Sequence, residues 1–347
     1  MLEYTSNVIL ARARALYGSR LKPEDFAALL NCHTVAEAAS YLKSKTSYVS
    51  VLGEINEANI HRGYLETLLR RKIRNDYTSL GQYGFAGGRE MAEYLIHKEE
   101  IEQIISCLRL MGAGRSEEYF YEMPMFLMDT ARIDFVKMSR ATNFAELTEA
   151  LGDTAFRRVL EKYPPLADGT LRIREIENEL FIALTKNLLQ TIAKTSGEVR
   201  EQLTDLCGTQ IDTQNVTRII RLKRYFNASA DEIRRNLLPW SGVIPEKIRE
   251  KMLEAATAEE VLDLFFASPA GRRIPEGQRG YIHDLYHRAP FYSARHYIRY
   301  SIHPMVALIS YIIVSDMELD DIVNVIEGIR YGMTPEEIKP VLVLADH

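Results

Sequence analysis

The stretch NVTRIIRLKRYFNASADEI, residues 215–233, contains a helical pattern, a short polar break and the start of a second helical pattern. Three similar stretches occur elsewhere in the chain. All four align on two apolar or aromatic markers that stand nine residues apart: Val8 and Tyr17, Ile101 and Leu110, Val216 and Tyr225, Ile322 and Tyr331. Such recurrence is the sequence signature of a repeated structural unit.

Three further features recur around these markers. A polar residue precedes the first marker in every copy: Asn7, Glu100, Asn215 and Asp321. A basic residue precedes the second marker in three copies: Arg109, Arg224 and Arg330. An acidic pair then follows, with Ser116, Ser229 and Thr334 as expected N-caps before it. Carboxylates in a first helical turn complement the partial positive charge of the helix N-terminus. Each stretch is therefore predicted to form a helix–turn–helix unit, called a corner below.

A second motif lies between the corners, and it begins with the spacing of a capping box. Its three copies span residues 34–48, 142–156 and 257–271. In each, a capping residue stands three positions before a glutamate: Thr34 and Glu37, Asn143 and Glu146, Thr257 and Glu260. Three copies separated by four corners predict three tandem helical repeats, 1–115, 116–228 and 229–347. We expect the repeats to close around a pseudo-three-fold axis.

Composition and patterning favour an all-α protein. The chain has 347 residues, of which 46% are hydrophobic, so it has enough apolar surface for a sizeable core. Helical periodicity recurs along the chain, as in residues 172–193, and no sustained two-residue alternation of the strand type is present. The longest apolar run, residues 304–314, is shorter than the roughly 20 residues that span a bilayer, so we interpret it as a buried helix.

The net charge, the cysteines and the N-terminal segment limit the functions and cell compartments to be expected for this chain. The net charge of −5 gives no reason to expect nucleic acid as a partner. Three widely spaced cysteines, Cys32, Cys107 and Cys207, are typical of a reduced, cytosolic protein rather than a disulfide scaffold. We do not expect the N-terminal segment to be a secretory signal, because Arg12 and Arg14 interrupt its apolar run.

Taken together, the repeated motifs resemble the C subunits of the V/A-type ATPases, the family that includes the d subunit of the eukaryotic V-ATPases. The resemblance rests on NVILARARAL followed by PEDFAALL, on DTQNVTRIIRLKRYFNASADEI, and on VNVIEGIRYGMTPEEIKPVLV. These segments are spread over nearly the whole chain. The resemblance implies an all-helical funnel of three bundles that caps the membrane ring of proteolipid subunits on its cytoplasmic side and receives the central shaft.

The function that this resemblance implies is mechanical. The chain is expected to be a non-catalytic rotor subunit that passes torque between shaft and ring, present once per complex. Its expected partners are the shaft subunits and the proteolipid ring, and its membrane contact is peripheral, through the ring. No catalytic, cofactor-binding or metal-binding residue is expected. One departure is Asp321, which stands where the central corner has Asn215, so a role tied to that amide does not carry over.

The expected partner interface lies on the central and C-terminal corners. It comprises Asn215, Arg218, Arg221, Arg224 and Arg330. Arginines at steps of three line one side of a helix, and such charges mainly set register and partner choice. The alternative interpretation is a solvated face, which applies equally to the basic stretch Arg70, Arg71, Lys72 and Arg74.

Two other functions remain open from the residues alone. The first is a free-standing helical scaffold that binds soluble partner proteins. The second is a helical enzyme that uses His283 and His287, which are four residues apart but lack the HExxH pattern. A third ligand, His296, lies beyond Pro290, which is expected to end the helix. The chain has no GxxxxGK[ST] motif for a nucleotide phosphate.

Overall fold

Helices joined by turns make up the described part of the chain, and the residues described include no strand. The computed structural model describes residues 2–57, 60–81, 89–123, 131–279 and 282–347. In chain order the helices are α1 (Leu2–Gly18), α2 (Pro23–Leu30), α3 (Val35–Lys45), α4 (Val49–Leu52), α5 (Arg62–Gly81), α6 (Arg89–Gly112), α7 (Tyr119–Glu122), α8 (Phe135–Arg140), α9 (Phe144–Ala150), α10 (Ala155–Lys162), α11 (Ile173–Ala193), α12 (Gly197–Phe226), α13 (Ala230–Arg235), α14 (Glu246–Glu254), α15 (Ala258–Ala267), α16 (Ile282–Tyr300), α17 (Pro304–Arg330) and α18 (Pro335–Ile338). The prediction of an all-α protein is confirmed for these residues.

The chain divides into two compact units. One is formed from residues 1–86 and 192–347, and the other from residues 87–191. In the second unit, apolar faces of α6, α8, α9 and α11 enclose a single core that includes Leu108, Met138, Leu147 and Leu180. The three repeats and their boundaries at 1–115, 116–228 and 229–347 stay a prediction.

Three long helices form the centre of the first unit. Helix α16 packs against both α12 and α17. Near its end, Tyr297 donates a hydrogen bond of 2.9 Å to Asp205, close to the start of α12. Near its beginning, His287 lies 3.9 Å from Asp320, in the second half of α17. Helix α16 is therefore antiparallel to both neighbours. It follows that α12 and α17 run in the same direction and that their C-terminal ends emerge on the same side of this unit.

A buried polar cluster connects α5 with α17. Tyr311 donates to Asp76 at 2.7 Å, and Lys72 pairs with the same carboxylate at 3.1 Å. Lys72 is 6% exposed and lies 4.9 Å from the ring centre of Tyr48, so the solvated-face interpretation of this lysine is wrong. Its ammonium is kept in the interior because Asp76 supplies a counter-charge and the Tyr48 ring a polarisable face.

Local capping follows the expected spacing at most positions. Thr34, Asn143 and Thr257 each accept a hydrogen bond from the backbone N–H of the glutamate three residues later. In all three motifs the glutamate bonds the N–H of the residue before the cap, not of the cap itself. Complete capping boxes form instead at Ser229 and Thr334. Ser116 is not an N-cap, because a 3-10 turn, Ser116–Glu118, begins there.

Pro290 does not end its helix, contrary to the expectation from sequence. Helix α16 continues through it as far as Tyr300. A proline inside a helix removes one backbone hydrogen bond. Here the neighbouring side chains Ala289, Phe291 and Ala294 are completely or almost completely buried. Their packing against the adjacent helices compensates for the lost bond, so tertiary contacts override a local breaking signal.

Candidate partner-binding site at the helical corners

The central corner ends in an exposed aromatic pair. Helix α12 stops at Asn227, which adopts the left-handed conformation with φ of 46°. The two residues before it, Tyr225 and Phe226, are 72% and 58% exposed. Arg224 forms an ion pair with Glu259 beside them. We call Arg224, Tyr225 and Phe226 the α12 tip.

The C-terminal corner repeats this arrangement. Helix α17 stops before Gly332, whose φ of 68° favours glycine. Tyr331 is 71% exposed and Met333 is 42% exposed. Arg330 pairs with Glu327 at 2.8 Å, and its guanidinium lies 4.6 Å from the centre of the Tyr331 ring. We call Arg330, Tyr331 and Met333 the α17 tip.

The two tips lie on the same side of the first unit, since α12 and α17 run in parallel. Each presents an aromatic ring beside an arginine that already has an acidic neighbour. Tyrosine and arginine are enriched among the residues that carry binding energy at protein interfaces. Exposed tyrosines with few degrees of freedom also lose little entropy when a partner covers them. The pair of tips is thus suited to contact one partner surface at two similar points.

The other two corners differ from this pattern. The N-terminal marker Tyr17 is 8% exposed and is covered by Arg20, 4.2 Å from its ring centre. In the second unit, Leu110 packs against the core, and Arg109 pairs with Glu177 at 3.0 Å. An exposed aromatic marker is therefore a feature of the central and C-terminal corners among the four.

The five residues expected at the interface occupy different environments. Asn215 is completely buried, and its amide bonds both the N–H and the carbonyl of Leu238, at 2.8 and 3.0 Å. Arg218 donates to the carbonyl of Asn236 at 2.7 Å. These two side chains hold the loop after α13. Arg221, Arg224 and Arg330 are exposed.

Sequence reasoning used Tyr225 and Tyr331 as alignment markers and did not assign them to the interface, and it did not single out Phe226 or Met333. A signal was present, because each tyrosine stands at a helix end next to a loop residue, where no following turn covers its ring. Whether these side chains are exposed, however, depends on which residues from the rest of the chain pack against them.

The histidines and cysteines offer no reactive arrangement within the described residues. His287 is near Asp320, and His296 packs against the rings of Tyr297 and Tyr300. The side chain of His283 lies outside the described residues. Over the part of the chain that the structure describes, no group of three His, Cys, Asp or Glu side chains could hold a metal ion.

The thiols are shielded from solvent to different degrees. Burial raises the pKa of Cys107 and of Cys207 to about 12. Both therefore stay protonated near neutral pH, and a protonated thiol is a poor nucleophile. Cys32 is half-buried, and burial is also the main cause of its raised pKa.

The fold and the corner surface define an all-helical protein whose exposed features are suited to contact other proteins. Comparison with known proteins specifies the class. A family model described as ATP synthase (C/AC39) subunit matches residues 9–341. The C subunit of the A-type ATP synthase of Archaeoglobus fulgidus is 23% identical over 97% of this chain and 95% of its own. That of Methanosarcina mazei is 21% identical over 96% and 92%.

The chain belongs to the ATP synthase (C/AC39) subunit family. The resemblance inferred from its motifs is thereby confirmed. In the described residues, moreover, every helix is too short or too polar to cross a lipid bilayer.

Proposed function

We propose that this chain is a non-catalytic central-stalk subunit of a V/A-type ATPase, which couples the rotating shaft to the membrane proteolipid ring. It would lie on the cytoplasmic face of the membrane, once per complex, and would reach the membrane only through the ring. Torque passes through it by rigid contact, so the chain needs one interface with the shaft and another with the ring.

The observation that carries this proposal is the pair of tips. Tyr225 and Tyr331 hold the same position in two corners, have nearly equal exposure, and emerge on the same side of one unit. A ring of identical subunits offers the same surface several times over. A protein with two similar contact surfaces can bind two copies of such a repeated surface at the same time. We therefore assign the tips to the ring rather than to the shaft.

Burial near the tips supports a stiff coupling. Helix α12, the first helix of the central corner, packs against α16 and α15. Thirteen of its residues are buried. Lys223 donates to the carbonyls of Leu253 and Ala255 at 2.8 and 2.6 Å, which fixes the last turn of α12 to the end of α14. Force applied at the α12 tip would therefore reach the core without first bending a free helix end.

The first experiment is affinity purification of the tagged full-length chain from gently solubilised native membranes, followed by mass spectrometry. Recovery of shaft subunits and proteolipid is expected. Recovery of soluble proteins alone, or of none, would overturn the proposal and favour a free-standing scaffold.

The second experiment assigns the tips. The double variant Tyr225→Ala, Tyr331→Ala should recover shaft subunits but lose most of the proteolipid. Tyr300→Ala is the matched control, because Tyr300 is 70% exposed but lies at the opposite end of the α12–α16–α17 layer. The control should recover both partners. Full proteolipid recovery by the double variant would show that the ring binds elsewhere.

A further inference from the structure

The polar residues that open the central and C-terminal corners, Asn215 and Asp321, do the same structural task with different chemistry. Asn215 bonds the backbone of Leu238, 23 residues later. Asp321 accepts hydrogen bonds from the N–H groups of Val343 and Leu344, 22 and 23 residues later. Both side chains are buried, at 0% and 2% exposure. An amide side chain does not titrate, whereas a carboxyl can gain or lose a proton.

One oxygen of the Asp321 carboxyl could be protonated while the other keeps the hydrogen bonds to the backbone. Its Oδ2 atom accepts from both Val343, at 2.9 Å, and Leu344, at 2.7 Å. Its Oδ1 atom shares only the Val343 N–H, at 3.0 Å. A proton on Oδ1 would leave both N–H groups bonded to Oδ2. The protonated carboxyl would then combine one acceptor and one donor, as the amide of Asn215 does.

Several charged groups surround this carboxyl. Arg288 of α16 donates to the carbonyl of Leu342 at 3.1 Å and so holds the same segment from its other side. Asp320 adds a second negative charge, and His287 lies 3.9 Å from it. Among the described residues, other charged or titratable side chains near this part of α17 include Arg20, Lys22, Lys72, Arg295, Glu318, Lys339, Asp346 and His347.

Burial is the main influence on Asp321. It raises the pKa of this carboxyl from 3.8 to about 7, against the opposing effect of the two N–H bonds and of Arg288. The segment that it binds is itself buried, with Leu342, Val343 and Leu344 at 1–3% exposure. Opening of the segment would return both the carboxyl and these apolar side chains to water.

We propose that Asp321 is a proton-dependent latch for the C-terminal segment Leu342–Ala345, which it holds more firmly when protonated than when ionised. The direction of this pH dependence follows from the thermodynamic linkage between proton binding and closure of the segment. The pKa of the carboxyl is higher when the segment is closed than when it is open, so proton binding favours the closed state. The latch is therefore firm in mild acid and loosens as pH rises through the closed-state pKa of about 7. It is independent of the proposed rotor function.

Hydrogen–deuterium exchange of the full-length chain tests the latch. Protection of Val343 and Leu344, corrected for the intrinsic exchange rate, should fall roughly thirtyfold between about pH 5.5 and about pH 8.5 if the closed and open pKa values are about 7 and about 4. The Asp321→Asn variant should show no such fall, because its amide carries no titratable proton. Protection in the wild type that is constant, or that rises with pH, would overturn the proposal.

The central corner supplies the reciprocal test. Protection of Leu238 in the wild type should change less over this pH range than that of Val343, because Asn215 does not titrate. Asp212, whose pKa burial raises, bonds Ser241 and Ile244 further along the same loop. The Asn215→Asp variant should acquire a fall in protection at Leu238 as pH rises, since an ionised carboxylate would face the Leu238 carbonyl. This comparison stays informative if Asp321→Asn folds poorly. A fall at Val343 that persists in Asp321→Asn would assign the effect to another group and overturn the latch.

Discussion

The phenol of Tyr48 donates a hydrogen bond of 3.0 Å to Oε1 of Glu318, a residue 270 positions later in the chain. The other carboxylate oxygen accepts from the backbone N–H of Leu21 at 2.9 Å. Tyr48 and Glu318 are 0% and 3% exposed. Burial is the main cause of the raised pKa of Glu318. The pair therefore ties the N-terminal helices to the middle of α17 through a carboxyl that has little access to water.

The Tyr48→Phe variant should lower the free energy of unfolding by about 1–2 kcal/mol, because it leaves one oxygen of a buried carboxyl without its donor. Urea denaturation followed by circular dichroism measures the change. Tyr225→Phe is the control, since that tyrosine is 72% exposed and its replacement should have no measurable effect. Equal losses in the two variants would contradict the assigned role of the Tyr48 hydroxyl.

The Asn215→Ala variant should lower the free energy of unfolding by about 2–4 kcal/mol, since both backbone groups of Leu238 would lose a buried partner. Arg221→Ala on the same helix should change it by less than about 0.5 kcal/mol, because Arg221 is exposed. Chemical denaturation of both variants provides the comparison. A fully stable Asn215→Ala protein would mean that the loop after α13 holds its position without this amide.

Two glycines in one short segment should respond differently to a methyl group. A Cβ at Gly271 would lie 2.1 Å from the backbone oxygen of Phe265, whereas a Cβ at Gly277 would have no neighbour within 4 Å. Gly271→Ala should therefore lower the free energy of unfolding by about 2–4 kcal/mol, because backbone must move to admit it. Gly277→Ala should leave stability nearly unchanged. Thermal and urea unfolding of the two variants would reveal the difference, and similar stabilities would refute the close approach at Gly271.

The three thiols should differ in reactivity toward a maleimide. At about pH 8 the native protein should be modified at Cys32 alone, because Cys107 and Cys207 are buried and remain protonated. All three should react once the chain is unfolded in urea. Peptide mass spectrometry locates the modified residues. Modification of Cys107 or Cys207 in the native state at a rate similar to that of Cys32 would show that the core around them opens readily.

Local features of the corners were predictable because they depend on a few neighbouring residues. The capping interactions at Ser229 and Thr334 and the helix end before Gly332 follow from side chains within about one turn. The repeated order of these features over most of the chain also led to the correct family. Ser116 is an exception, since the turn that follows Gly114 begins as a 3-10 turn and leaves it without a capping role.

The candidate interface was predictable only in part. The spacing of Arg218, Arg221 and Arg224 placed them on one helix, but spacing does not reveal what the loop after α13 does. That loop engages Arg218 through Asn236 and leaves Arg221 exposed. The sequence showed that a polar residue precedes the first marker in each corner, but it did not show whether that residue is buried or exposed. Glu100, Asn215 and Asp321 are buried, whereas Asn7 is exposed.

By itself, the sequence determined that this chain is helical, where five of its helices begin, and to which family it belongs, because hydrophobic period, caps and turn residues act over short distances. Tertiary structure alone decided which repeated positions face water and which lie inside. Tyr17 and Tyr225 hold the same place in their corners, but one is covered and the other exposed. Pro290 and Lys72 are buried inside helices despite unfavourable local chemistry. Local neighbours contribute to the burial of Tyr17 and of Lys72, but so do residues far away in the chain: Arg299 lies 6.0 Å from the centre of the Tyr17 ring, and Tyr311 bonds the carboxylate that pairs with Lys72. Spacing within one segment does not record such long-range contacts.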